Sequence, residues 1–77
     1  MKKICGYTQK QIEDKIQNIV DYINSTEMDE VDDIYKRIYY VFRKADDELI
    51  QKVFDIVSYQ LGFTEEEPID IFKRSLI

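Results

Sequence analysis

Histidine and tryptophan are absent from this chain, and one cysteine, one proline and two glycines are all it holds of those residues. Each scarcity removes a class of explanation. Without histidine an ordinary Cys/His zinc site cannot be assembled, and the side chain that most often moves protons near neutral pH is missing. The lone Cys5 allows no disulfide within the chain, which fits a reducing, intracellular setting. So few chain breakers leave little room for a linker or a low-complexity tail. Long apolar runs are also missing: the longest, Ile38 to Phe42, falls far short of the ~20 residues that a membrane-spanning helix requires. The opening MKKIC carries the charge of an export or lipoprotein signal, but GYTQKQIEDK follows where an apolar segment is needed. Neither cleavage nor lipidation is expected, and the expected location is the cytoplasm.

What is present is enough apolar material to fold: 44% hydrophobic residues, including six tyrosines and four phenylalanines, in 77 residues of net charge −5. That length makes a single domain, 1–77, with residues 1–7 expected to fray. A core of this size leaves only a few kcal/mol of net stability, and a protein partner is the helper most open to such a chain.

Punctuation and periodicity predict an all-α fold, a small bundle of four short helices over about 9–24, 27–44, 46–61 and 65–76. Thr8 and Gln11 have the spacing of a capping box, and Tyr7 and Ile12 occupy the hydrophobic-staple positions. Behind them Ile12, Ile16, Ile19, Val20 and Ile23 recur at three- and four-residue steps, with Asn24 and Ser25 as the stop. Thr26 and Asp29 make a weaker start for the second helix, whose stripe is Val31, Ile34, Tyr35, Ile38, Val41 and Phe42. Residues 38–45 favour strand by residue type while following a helical period. The third helix opens at Asp46 or Asp47; Leu49, Ile50, Val53, Phe54, Ile56, Val57 and Leu61 cover an arc of roughly 160°, and Gly62 ends it. Thr64 and Glu67 form another capping pattern ahead of Ile69, Phe72 and Leu76, with Pro68 tolerable only in a first turn.

The stretch KRIYYVFRK, residues 36–44, places positive charge around aromatic rings. At 100° per residue Tyr40 lies about 160° from the centre of the apolar stripe, beside Lys36, Arg43 and Lys44, with Tyr39 at the stripe's edge. Tyr59 falls on the polar side of the third helix and Tyr22 on the flank of the first. Exposed tyrosine offers a large rigid contact area with a polar tip, so Tyr39, Tyr40, Arg43, Lys36 and Tyr59 are the candidate protein-binding residues. The plainer account of the basic residues is helix stabilisation, with Asp32 to Lys36 and Asp33 to Arg37 as i,i+4 ion pairs. Sixteen acidic residues against eleven basic ones disfavour direct nucleic-acid binding.

Two segments have the look of DNA-binding families. YTQKQIEDKI resembles the opening of a helix-turn-helix, but an acidic segment, EMDEVDD, follows instead of a small-residue turn and recognition helix, so it reads as a capping box. That acidic segment lacks the glycine and oxygen-ligand alternation of a calcium loop. LGFTEEEPIDIFKRSLI, residues 61–77, resembles the second half of ribbon-helix-helix antitoxins. The resemblance implies a DNA-binding strand ahead of the third helix and an intertwined dimer.

No catalytic, cofactor-binding or metal-ligating set emerges: Asp46, Asp47 and Glu48 are consecutive and would fan around a helix, and no glycine-rich phosphate loop exists. The expected function is therefore non-enzymatic. It is a small acidic protein-protein interaction module, an intracellular regulator or inhibitor that blocks a protein target of unknown identity. A sharper form has Asp14, Asp21, Asp29, Glu30, Asp32 and Asp33 imitating phosphates toward a nucleic-acid-processing enzyme, as small acidic proteins of phages and mobile elements do. The alternatives are a self-assembling structural helical protein, a homo-oligomer joined through the fourth helix or the flanks of the second, and an antitoxin-like DNA-binding regulator.

Overall fold

Two short strands, β1 (Lys3–Ile4) and β2 (Tyr7–Thr8), pair antiparallel at the start of the structure, a computed structural model that describes residues 3–65, 67 and 68. Lys3 faces Thr8 and Ile4 faces Tyr7, so the loop is Cys5-Gly6, with φ of 53° and 83°. Positive φ at both loop residues is the primed-turn geometry whose twist matches the flanking strands. The described part of the segment expected to fray, residues 3–7, thus belongs to a hairpin, and Cys5 is a half-buried turn residue. Tyr7 holds it down: its ring meets Phe42 edge-on at 5.4 Å, and its Oη accepts a hydrogen bond from the Lys44 backbone N–H at 3.1 Å. Both anchoring partners lie more than thirty residues away, where no local pattern could reveal them.

Three helices follow: α1 (Gln9–Thr26), α2 (Val31–Val41) and α3 (Asp47–Gln60). With the two-stranded sheet they make a mostly helical, compact single domain. The four-helix bundle is therefore corrected to three helices and a hairpin. Residues 64, 65, 67 and 68 carry no regular structure where a fourth helix was to begin, and the rest of that segment, including Ile69, Phe72 and Leu76, lies outside the described residues.

The boundaries follow from hydrogen bonds. The capping box at α1 is formed in both directions, Thr8 N–H donating to Gln11 Oε1 at 2.8 Å and Gln11 N–H to Thr8 Oγ1 at 3.2 Å. At the other end Thr26 does not cap α2. Its hydroxyl donates back to the Tyr22 carbonyl at 2.9 Å, which keeps it in the last turn of α1, and Glu27 closes the helix at φ 53°. α2 starts later than expected, at Val31 after a Glu30 N-cap with no side-chain bond, and stops at Val41 instead of 44. In α3 the Asp46 carboxylate accepts from Leu49 N–H at 2.9 Å. Its far end is a Schellman closure: Phe63 N–H donates to Ser58 O and Gly62 N–H to Tyr59 O, with Gly62 at φ 81°.

The strand implied ahead of the third helix by the ribbon-helix-helix resemblance is absent: residues 40 and 41 are helical, and 42–46 form the loop into α3. The β-favouring residues there are overruled by burial, because Ile34, Ile38 and Phe42 all reach the core at helical spacing. They pack with Ile12, Ile16, Ile19, Val20 and Ile23 of α1 and Leu49, Ile50, Val53 and Val57 of α3. Tyr35 stacks on Phe54 with ring centroids 4.2 Å apart and donates from its hydroxyl to Gln51 Oε1 at 2.9 Å, stapling α2 to α3. One member of the expected α2 stripe departs from it. Val31, at the first position of the helix, is 53% exposed, because periodicity assigns a face but not how far along it the neighbours reach.

Candidate functional site

A chain of alternating cations and rings crosses from α1 onto the outer face of α2. Tyr22 stands half-buried on the flank of α1, and the Arg37 guanidinium lies over its ring, 3.8 Å from the centroid. The same guanidinium is 5.0 Å from the centroid of Tyr40, one turn further along α2, and Arg43 approaches Tyr40 at 5.3 Å. Arg37 thus lies on two rings where i,i+4 spacing anticipates an ion pair with Asp33. Its Nε is buried without a hydrogen-bond partner, a cost of about 1–3 kcal/mol that stacking on two rings helps to offset.

Beside this ladder an open groove of about 700 Å³ runs between α1 and the carboxyl end of α2. Arg37 and Tyr40 of α2, with Arg43 and Lys44 of the loop that follows it, form one wall, Lys15 and Asp14 of α1 the other, and Tyr7 contributes from the hairpin. Lys15 is there for a local reason: its ammonium donates to the carbonyl of Val41 at 3.4 Å, one of the last carbonyls of α2, and sits 5.4 Å from the Tyr7 ring centroid. A second concavity of about 690 Å³ lies between the start of α2 and the end of α3, where Val31, Phe54, Phe63 and Pro68 supply apolar surface.

The candidates named from the sequence divide between these places. Tyr40 and Arg43 meet in the basic groove. Tyr39 and Lys36 are exposed on α2 outside its lining, and Tyr59, 41% exposed, sits on α3. Of the acidic set, Asp14 opens onto the basic groove, Asp21 accepts from Gln17 Nε2 at 2.8 Å on α1, and Asp29 borders the other concavity. Glu30, Asp32 and Asp33 cluster at the start of α2. Tyr7, Lys15, Asn18, Arg37, Val41 and Lys44 line the groove without having been chosen from the sequence. The KRIYYVFRK stretch pointed toward Arg37, but nothing local marks Lys15 or Tyr7, which reach the groove only because α1 and the hairpin pack against the end of α2.

Among the described residues no group of three or more Cys, Asp and Glu side chains has the arrangement of a metal site, and no helix is long and apolar enough to cross a membrane. Comparison of the chain with family models, with curated proteins and with solved structures returns no match.

Proposed function

We propose that this chain is a non-enzymatic protein-protein interaction module, an intracellular regulator that binds a protein target and blocks it, with the outer face of α2 as its contact. The observation that carries the reading is Tyr40: 54% exposed, with the guanidiniums of Arg37 and Arg43 over its ring at 5.0 and 5.3 Å from the centroid. A ring fixed before binding loses little conformational freedom on contact, and aromatic and arginine side chains are the types that dominate protein interfaces. Tyr39, 50% exposed on the same helix, and Lys36 extend the face.

A phosphate-imitating acidic surface has weaker support, because its carboxylates are divided between α1 and the start of α2 and Asp14 belongs to a cationic groove. Self-assembly is favoured by one observation, the exposure of Val31 and Phe63 around the same concavity. Unfolding midpoints that rise with protein concentration would support that second reading.

The test of the main reading is capture of partners by the tagged chain from its native lysate after nuclease treatment, followed by affinity measurement with Tyr40→Ala. A hot-spot tyrosine costs about 2 kcal/mol or more on truncation, roughly thirtyfold in affinity. Unchanged affinity, with the helical circular-dichroism signal intact, rules out this face as the contact.

A further inference from the structure

We infer that the groove between α1 and the carboxyl end of α2 receives a short acidic peptide segment of the partner, its carboxylates held by Arg37, Arg43, Lys44 and Lys15. This rests on the interaction-module reading and gives the partner its chemistry.

Charge is the first argument. Four cations surround one carboxylate, so the groove carries a formal +3 inside a chain of −5, and the remaining residues carry −8. At physiological ionic strength interactions between exposed charges fade beyond about 8 Å, so an anion in the groove is governed by the groove's own charge. The segments that adjoin the groove residues are mostly acidic: exposed Glu13 and Asp21 lie on α1, with Lys10 as the exception, and exposed Asp46, Asp47 and Glu48 follow Lys44 in the chain. A nucleic acid, charged along its whole length, is repelled there, whereas a few carboxylates in an otherwise neutral peptide are not.

Donor availability is the second. Among the described residues, the side chains of Arg43 and Lys44 hold no hydrogen bond or ion pair, and the one hydrogen bond of Lys15 is a 3.4 Å bond to a carbonyl, which leaves two of its three N–H groups beside its cation–π contact with Tyr7. Arg37 and Arg43 engage the faces of Tyr22 and Tyr40. A cation–π contact uses no N–H group, so the terminal guanidinium nitrogens of Arg37 and the whole fork of Arg43 remain donors for a carboxylate.

The experiment is a titration of the ¹⁵N-labelled chain, observing backbone amides and arginine Nε–Hε signals. The probes are a capped hexapeptide of alternating Glu and Asp, its Gln and Asn counterpart, and a single-stranded oligothymidylate. The expected result is acidic-peptide binding that shifts Tyr40, Arg43, Lys44 and Lys15 and weakens roughly tenfold between about 0.01 and 0.15 M salt, with little response to the neutral peptide. Arg43→Gln/Lys44→Gln removes two exposed charges and should weaken binding about tenfold, while Lys3→Gln/Lys10→Gln, the same change in net charge at exposed sites outside the groove, should not. The inference is overturned if the acidic peptide produces no shifts at about millimolar concentration. It is equally overturned if the oligothymidylate binds the groove more tightly, or if the groove signals move with protein concentration alone because a second copy fills it. A captured partner that needs Tyr40 but ignores the Arg43/Lys44 change and the peptide would defeat this inference and leave the interaction-module reading standing.

Discussion

Replacing Tyr7 by phenylalanine removes one oxygen atom and leaves the ring in place, so it isolates the bond that ties the hairpin to the end of α2. In the native chain Tyr7 is 9% exposed, its ring meets Phe42 at 82°, and its Oη accepts from the Lys44 N–H at 3.1 Å. Tyr7→Phe keeps the ring contact and orphans a partly buried backbone donor that water reaches only in part. That costs about 1 kcal/mol, the usual net worth of such a bond. Tyr7→Ala also gives up the ring, and large-to-small changes at buried aromatic positions cost about 3–5 kcal/mol. A domain of this size holds only about 3–5 kcal/mol in total, so the two variants should behave differently in kind. Tyr7→Phe should stay folded with a midpoint lower by about 4–8 °C, and Tyr7→Ala should lose most of its helical signal at room temperature. The assay is urea and thermal unfolding followed by far-ultraviolet circular dichroism, with an unchanged denaturant slope as the check that only stability moved. A Tyr7→Ala protein within about 0.5 kcal/mol of the parent would refute the reasoning, since surface changes fall in that range and the hairpin would then be peripheral to the fold.

Asp46→Ala should cost about 1 kcal/mol by removing the cap on Leu49 N–H, whereas Thr26→Ala, at a position whose sequence context suggests a cap, should change urea stability by less than about 0.5 kcal/mol. Glu27→Gly should raise the thermal midpoint by a few degrees, because the left-handed φ of 53° costs an ordinary residue about 1–2 kcal/mol and glycine's extra chain entropy returns only part of that; a lower midpoint would contradict the assigned strain. Together with the Tyr40→Ala and Arg43→Gln/Lys44→Gln affinity measurements, these separate the stability of the scaffold from the use of its surface.

Much of the helical scaffold was legible in the residues because its signals are local. The Thr8/Gln11 box, the helix start at Asp46 or Asp47 and the Gly62 stop each act within one helical turn; the box and the stop are realised by the hydrogen bonds observed, and of the two aspartates it is Asp46 that caps. The errors came where two local signals competed. Thr26 has the chemistry of a cap, yet its hydroxyl is equally able to bond back into the preceding turn, and it does so, to the Tyr22 carbonyl. The hairpin was missed because Cys-Gly is not among the strong two-residue turn signals and the flanking strands are two residues each. The fourth helix is read from the Thr64/Glu67 capping pattern, from Pro68 and from the spacing of Ile69, Phe72 and Leu76; the described residues there, 64, 65, 67 and 68, adopt no helix.

The candidate site divides along the same line. That Tyr40 turns away from the apolar stripe of Ile34 and Ile38 follows from the 100° step of a helix, and the sequence alone determined it, whereas Arg43 reaches Tyr40 from the loop beyond the end of α2. It also determined the acidic balance, the lack of histidine and the apolar stripes, all of which are properties of residue type and spacing. Only the tertiary structure decided that Lys15, from the other helix, and Tyr7, from the hairpin, meet Arg37, Tyr40 and Lys44 around one groove. Their separation along the chain exceeds any helical or strand period. What brings them together is the close packing of α1 and the hairpin over Ile38 and Phe42, a global outcome of burying the core that no window of neighbouring residues encodes.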